Sequence, residues 1–223
     1  MISFENSTLY YYTVGTRGRA EAIRFLLRDA GVNYQDFQFS FDEWNDLKPK
    51  LMKKFPMAVL PCIETQDGQF FGSTVPLLRI LGKELGYYPT GGVQDDHFIE
   101  NTADLASDWV SDYCKMFYCP NQLDFHLNME IPLHLSRLER IYGAYPSGPY
   151  ALGNEITYAD FLVYHILYQE KFLDKLHESN PNLEKFARAF EERPKMKAYL
   201  ATLPKNEPEI YPTPPKELQK TTS

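Results

Sequence analysis

The chain has 223 residues, enough for one large domain or two small ones, and its 43% hydrophobic and 24% charged residues are the balance of a globular protein. A net charge of −7 argues against a nucleic-acid partner and against an anionic membrane surface. Three cysteines, Cys62, Cys114 and Cys119, have no disulfide spacing, and no leader-like or membrane-spanning run is present, which together point to the reducing cytoplasm.

The stretch "LYYYTVGTRGRAEAIRFLL" opens with a strand over residues 8–12. A helix follows over residues 19–31, with Ala20, Ile23, Leu26 and Leu27 on one face and Gly31 as its stop. Residues 34–41 alternate again, and the polar stretch after them reads as a loop. "AVLPCIET" and "GQFFGS" flank the turn "QDG" and form a hairpin. "TVPLLRILGKELG" is a helix ending at Gly86. This β-α-β, loop, β-β-α order is a small α/β domain of thioredoxin type over residues 1–86.

"YYPTGGV", residues 87–93, is a linker. Residues 94–206 read as an all-helical domain. Phe98, Leu105, Trp109 and Phe117 form one apolar stripe; Leu123, Leu127, Ile131, Leu135 and Leu138 form another, interrupted by Pro132. "ITYADFLVYHILYQEKFL" is apolar on nearly all sides and should be the central buried helix. Two short helices, split at Pro194, come next. The tail, residues 207–223, is Pro-rich and polar.

Three motifs carry chemistry. In "VLPCIE" a proline opens a strand, where it cannot donate to a ladder. Either the Leu60–Pro61 bond is cis and the Leu60 backbone is presented to an extended peptide, or Pro61 marks an edge strand. In "GSTVPLL", Ser73 and Thr74 sit at a helix start. A hydroxyl N-cap explains them, and so does a carboxylate site on the free N–H groups. "GNEITYADF" is a capping box, Thr157 with Asp160, and is structural.

"YYTV…RGRAEAIRFLL", Trp44, "FPMAVLPCIETQDGQ", "STVPLLRILGKELG", "GNEITYADF" and "RPKMKAYL" follow one another in this order. The chain resembles the cytosolic glutathione transferases, most closely the tyrosine-type sigma and pi classes, over about residues 8–204. The resemblance implies an α+β two-domain fold, thioredoxin-like then all-helical. It implies a homodimer that conjugates glutathione to small apolar electrophiles, with glutathione as co-substrate and no separate cofactor. A tyrosine hydroxyl would donate to the sulfur and favour the thiolate, which is the nucleophile. Tyr11 takes that position; the two extra residues Gly15–Thr16 leave Tyr12 as the alternative if the register shifts. Tyr10 points to the opposite face.

The remaining sites carry over residue by residue. Arg19 is expected near the γ-glutamyl carboxylate. Trp44 belongs at the glycyl end, with Lys50 the choice among Lys48, Lys50, Lys53 and Lys54. Val59, Leu60 and Pro61 belong at the cysteinyl residue, and Ser73 and Thr74 at the γ-glutamyl carboxylate. Asp104 is expected at the ammonium across the dimer. Val59 and Ser73 replace residues usual in the family, which lowers the expected affinity. The electrophile would meet Tyr113, Met116, Phe117 and Tyr211. The five histidines, His97, His126, His134, His165 and His177, have no metal spacing. Two other functions stay open: a catalytically weak or inactive binding or structural protein of the same fold, and a glutathione-dependent isomerase or peroxidase.

Overall fold

The computed structural model describes residues 2–176 and 179–204. The chain begins with β1 (Ser7–Tyr12), α1 (Glu21–Ala30) and β2 (Tyr34–Phe39). β1 and β2 run parallel, Tyr11 opposite Gln38. Residues 41–54, taken from the sequence as a loop, are a helix, α2 (Phe41–Lys54). Its start is a capping box: the Ser40 hydroxyl accepts from Glu43 N–H at 3.2 Å, and the Glu43 carboxylate takes Ser40 N–H at 2.7 Å. Only Leu51 of α2 is buried, so the helix has no apolar stripe for periodicity to reveal.

The hairpin strands are β3 (Cys62–Glu64) and β4 (Phe70–Gly72), and the sheet order is β2-β1-β3-β4. α3 (Thr74–Leu85) ends at Gly86, whose φ of 83° closes the last turn. This half is thioredoxin-like: a mixed four-stranded sheet with helices against it.

The second half is helical. It comprises α4 (Val93–Lys115), a 3-10 turn (Pro120–Gln122), a single turn α5 (Leu123–Phe125), a π-helical turn (His126–Glu130), α6 (Ile131–Gly143), α7 (Tyr158–Gln169), α8 (Pro181–Glu192) and α9 (Pro194–Leu200). α7 is buried at every position but Tyr168 and is the centre of the molecule. Its N-terminus is closed by Asp160, which accepts from Thr157 N–H at 2.7 Å and the Thr157 hydroxyl at 2.9 Å. The same carboxylate takes Ala151 N–H at 3.1 Å and the Tyr142 hydroxyl at 2.8 Å.

The second apolar stripe is corrected at the π turn. Leu127 is 43% exposed, whereas His126, Ile131, His134, Leu138 and Tyr142 form the buried face. A π turn holds one residue more than an α turn, so the inward face rotates there. Ile131, Leu135 and Leu138 keep the expected inward side, and periodicity therefore fails at Leu127, within the π turn.

The two halves dock through α1 against α7. Phe25 meets Tyr164 edge-on at 5.5 Å. Arg193, just before α9, reaches back to Asp29 at the end of α1.

Candidate active site

β1 alternates buried and half-buried along its length. Leu9 and Tyr11 point inward together, and Tyr10 and Tyr12 point to the other face. Tyr10 donates to Glu64 at 2.8 Å. Tyr12 stacks on Phe41 at 4.3 Å and meets Trp44 edge-on at 6.1 Å. Each of these rings is therefore occupied in packing on the outer face.

The Tyr11 hydroxyl is held from its acceptor side. Arg19 N–H donates to it at 2.8 Å. Gly18, at φ +88°, lies so close that a Cβ there would sit 2.5 Å from the Tyr11 oxygen. With a lone pair taken by Arg19, the phenol proton remains available for another acceptor. Burial raises the Tyr11 pKa to about 12, against a smaller opposing pull from the Arg19 N–H, so the hydroxyl stays a donor at neutral pH.

The longer loop is absorbed without moving this geometry. Gly15 turns at φ 65°, and Thr16 is buried. His165 Nε2–H of α7 donates to the Thr16 carbonyl at 3.2 Å, and Gly18 N–H donates to Gln169 Oε1 at 2.6 Å. The insertion is thus fastened to the central helix at two points. Nothing in the sequence pairs these distant residues.

The Arg19 guanidinium turns toward α4. Its Nη2 donates to Ser111 Oγ at 3.0 Å, and it stands beside Cys114, one turn further on. Burial raises the Cys114 pKa and Arg19 pulls it back. Ser111 and Cys114 were not among the expected residues; their i, i+3 spacing on α4 is a signal only once Arg19 is known to face that helix.

Leu60–Pro61 is cis. Ser73 N–H donates to the Pro61 carbonyl at 3.1 Å, tying the α3 start to the cis turn. Ser73 sits at φ 68°, ψ 141°, a conformation costly for a residue with a Cβ, and its hydroxyl does not cap α3. Of the two readings of "GSTVPLL", the hydroxyl cap is absent. Thr74 is buried, Pro76 has no N–H, and among the described residues no side chain caps the helix end.

Val59 and Leu60 are half-buried and Pro61 is buried beside them. Trp44 is half-buried and stacks on Phe39 at 5.6 Å. Lys50 and Asp104 are exposed. Tyr113 and Met116 are 0% and 1% exposed, packed where helical spacing directs them inward, so they offer no free surface to a ligand. Phe117 is 40% exposed, beyond the end of α4. Tyr211 and His177 lie outside the described residues. Among the described residues no group of three or more His, Cys, Asp or Glu is placed to hold a metal ion, and no helix is long and apolar enough to cross a membrane.

The model of the C-terminal domain of glutathione S-transferases matches residues 107–202. Glutathione S-transferase P 10 of Caenorhabditis elegans is 32% identical over 203 residues, covering 86% of this chain and 89% of its own. S-crystallin SL20-1 of Nototodarus sloanii is 33% identical over 116 residues, 52% of this chain and 49% of its own. The solved pi-class glutathione S-transferase of Onchocerca volvulus superimposes with a TM-score of 0.78 at 25% identity, covering 91% of this chain and 98% of its own.

Proposed function

The chain belongs to the glutathione S-transferase family, and from that premise we propose that it conjugates the glutathione thiolate to small apolar electrophiles, with Tyr11 as the residue that stabilises the thiolate. The observation that carries this is the Tyr11 hydroxyl, occupied by Arg19 N–H as an acceptor and still protonated as a donor. A sulfur placed at its free side receives that hydrogen bond. The bond favours the anion, and each unit of lowered thiol pKa corresponds to about 1.4 kcal/mol. Attack then forms the carbon–sulfur bond while the leaving group, or a π electron pair, carries the charge away.

Glutathione lies across the edge formed by the cis turn and the start of α3. Its γ-glutamyl carboxylate meets the Thr74 hydroxyl and the uncapped end of α3, where the helix dipole favours an anion. Ser73 and Val59 flank it, and the Leu60 backbone pairs with the cysteinyl residue beside Pro61. Trp44 and Lys50 serve the glycyl end. Arg19, placed against α4, stands beside the space where the sulfur meets the electrophile. Phe117 forms the apolar wall on the electrophile side, with Ser111 and Cys114 lining α4.

We place the protein in the cytoplasm, where three free thiols are stable, as a two-fold homodimer. A groove of about 480 Å³ between α4 and α6, lined by Phe98, Leu105, Ile141 and Ala144 together with Arg137 and Arg140, is where we place the second copy. Exposed Asp104, on the same α4, would then serve the partner's glutathione ammonium.

The test is Tyr11→Phe, which keeps the ring and removes the hydroxyl. Conjugation to an aromatic halide near neutral pH should fall about tenfold or more, one unit of thiol pKa being tenfold in thiolate. Glutathione affinity should barely change. Tyr12→Phe should do little; if it is the crippled variant, the assignment to Tyr11 is wrong. A wild-type protein that binds glutathione without conjugating it would favour a non-catalytic role, as its likeness to an S-crystallin allows.

A further inference from the structure

Behind the Tyr11 site, at the end of α7, lies a buried carboxylate. Glu170 is the C-cap of α7 and is 2% exposed. It follows Gln169, whose side chain holds Gly18 N–H at 2.6 Å against the Tyr11 hydroxyl. An anion there stands at the negative end of a helix dipole, an unfavourable place for a carboxylate. It also stands behind a site that must favour a second anion, the thiolate.

His126 meets it. His126 Nε2 is 3.0 Å from Glu170 Oε1, and His126 Nδ1 is 2.7 Å from Glu130 Oε2. A neutral imidazole carries one N–H and one lone pair, so one of these two contacts would set a lone pair against a carboxylate oxygen. The imidazolium donates to both. Burial opposes its charge, but Glu170 and then Glu130 outweigh that, and the His126 pKa is raised. The ring is delivered by the π turn His126–Glu130, the irregularity that turns position 126 inward.

Among the described residues, further groups face this pair from α4 and α6. From α4, Trp109 Nε1–H donates to Glu170 Oε1 at 2.9 Å. Asp112 and Lys115 of α4 pair with each other, and His134 of α6 binds Asp112 Oδ2 at 3.0 Å while stacking on Trp109. Cys114, on the side of α4 facing Arg19, is raised in pKa chiefly by burial and lowered by Arg19, with the charge of Glu170 adding a small upward push.

We propose that His126 is a positioning residue for the transfer reaction: its imidazolium, bridging Glu130 and Glu170, cancels the carboxylate behind the site and so keeps the thiolate of bound glutathione favourable. The proposal rests on Tyr11 serving that thiolate. Loss of the cation leaves a negative charge near the sulfur and raises the thiol pKa. Loss of the Glu170 carboxylate removes one negative charge, leaves His126 paired with Glu130 alone, and lowers it.

The experiment titrates the thiolate absorbance of glutathione bound to the full-length protein against pH. His126→Gln should shift the midpoint alkaline by about 0.5 to 1 unit, lowering the conjugation rate at pH 6.5 about threefold to tenfold, the scale of one unit charge at intermediate range in a partly polar interior. The rate should recover at pH 9. Glu170→Gln should shift the midpoint acid, and the double variant should return it toward wild type. A merely structural bridge would lower the folded fraction in each variant without moving the midpoint. If His126→Gln does not fold, Glu170→Gln decides: an acid shift supports the proposal, and an unmoved or alkaline midpoint overturns it. Wild-type protein without a thiolate band overturns this proposal together with the role of Tyr11. A wild-type band that neither variant moves overturns this proposal alone.

Discussion

The molecule contains two helix N-termini that each open on a hydroxyl residue at the N-cap, Ser73 in "STVP" at α3 and Thr157 in "TYAD" at α7. They are built for opposite ends. At α7 the cap is closed by one carboxylate: Asp160 gathers the Thr157 N–H and hydroxyl, Ala151 N–H and the Tyr142 hydroxyl, all of them buried. At α3 the Ser73 hydroxyl makes no cap, its backbone sits at φ 68°, and among the described residues no side chain caps the end. A helix start that serves stability satisfies its own N–H groups. One that serves binding leaves them for a ligand and carries strain to do so. The contrast supports α3, and not α7, as the anion site.

The largest expected effect breaks the stable member of the pair. Asp160→Ala strands four buried donors and should cost about 3 to 5 kcal/mol of folding stability, read by chemical denaturation. Glutathione affinity of the folded fraction should be unchanged. An affinity loss without a stability loss would reverse the roles assigned to the two helix starts.

Acid acts further along the same helix. Burial lowers the His165 pKa from 6.5 to about 4, the Thr16 carbonyl opposing in part. The unfolded chain binds a proton below pH 6.5 that the folded chain refuses until about pH 4. Stability is therefore lost as pH falls through that window, about 3 kcal/mol in all from this group. His165→Gln keeps a donor for Thr16 and should flatten that part of the pH–stability curve. An unchanged slope would show that His165 takes up its proton in the folded state.

At α3 the expected signs are reversed. Thr74→Ala should weaken glutathione binding by about 1.5 to 3 kcal/mol, the worth of a hydrogen bond to a charged group, as calorimetry would measure. Its cost to folding should be below about 1 kcal/mol, since removing a hydroxyl that caps nothing leaves no helix donor stranded. Unchanged affinity would move the carboxylate site elsewhere.

The smallest effect sharpens the comparison most. Ser73→Gly relieves the positive φ and should raise stability by roughly 0.5 to 1 kcal/mol, strain relief exceeding the added freedom of the unfolded chain. Glutathione binding should not improve with it. A thermal shift in the other direction would mean that Ser73 is not strained.

Much of this was legible in the residues themselves. Gly31 and Gly86 end their helices, Pro194 divides α8 from α9, and Thr157 with Asp160 opens α7, because each is a local rule between residues a few positions apart. Period-two alternation was enough to put Tyr11 with Leu9 and apart from Tyr10 and Tyr12. α2 was missed because an exposed helix has no apolar stripe, although its capping box, Ser40 with Glu43, was there to be read.

Other features belong to contacts that no local pattern encodes. Tyr113 shares α4 with Ser111 and Cys114, Met116 directly follows it, and only packing decides that Tyr113 and Met116 are sealed inside while the others face Arg19. The π turn shifts the inner face by one position at its start, replacing Leu127 by His126 while Ile131 and Leu138 stay buried. The fastening of the Gly15–Thr16 insertion joins residues about 150 positions apart, Thr16 to His165 and Gly18 to Gln169. The sequence by itself determined the elements, their order and the strand face of Tyr11, since propensity, capping and alternation act within a few residues. Tertiary structure alone decided which polar side chains meet behind that tyrosine, because hydrogen-bond partners and buried charges are set by distances between segments that the chain brings together only on folding.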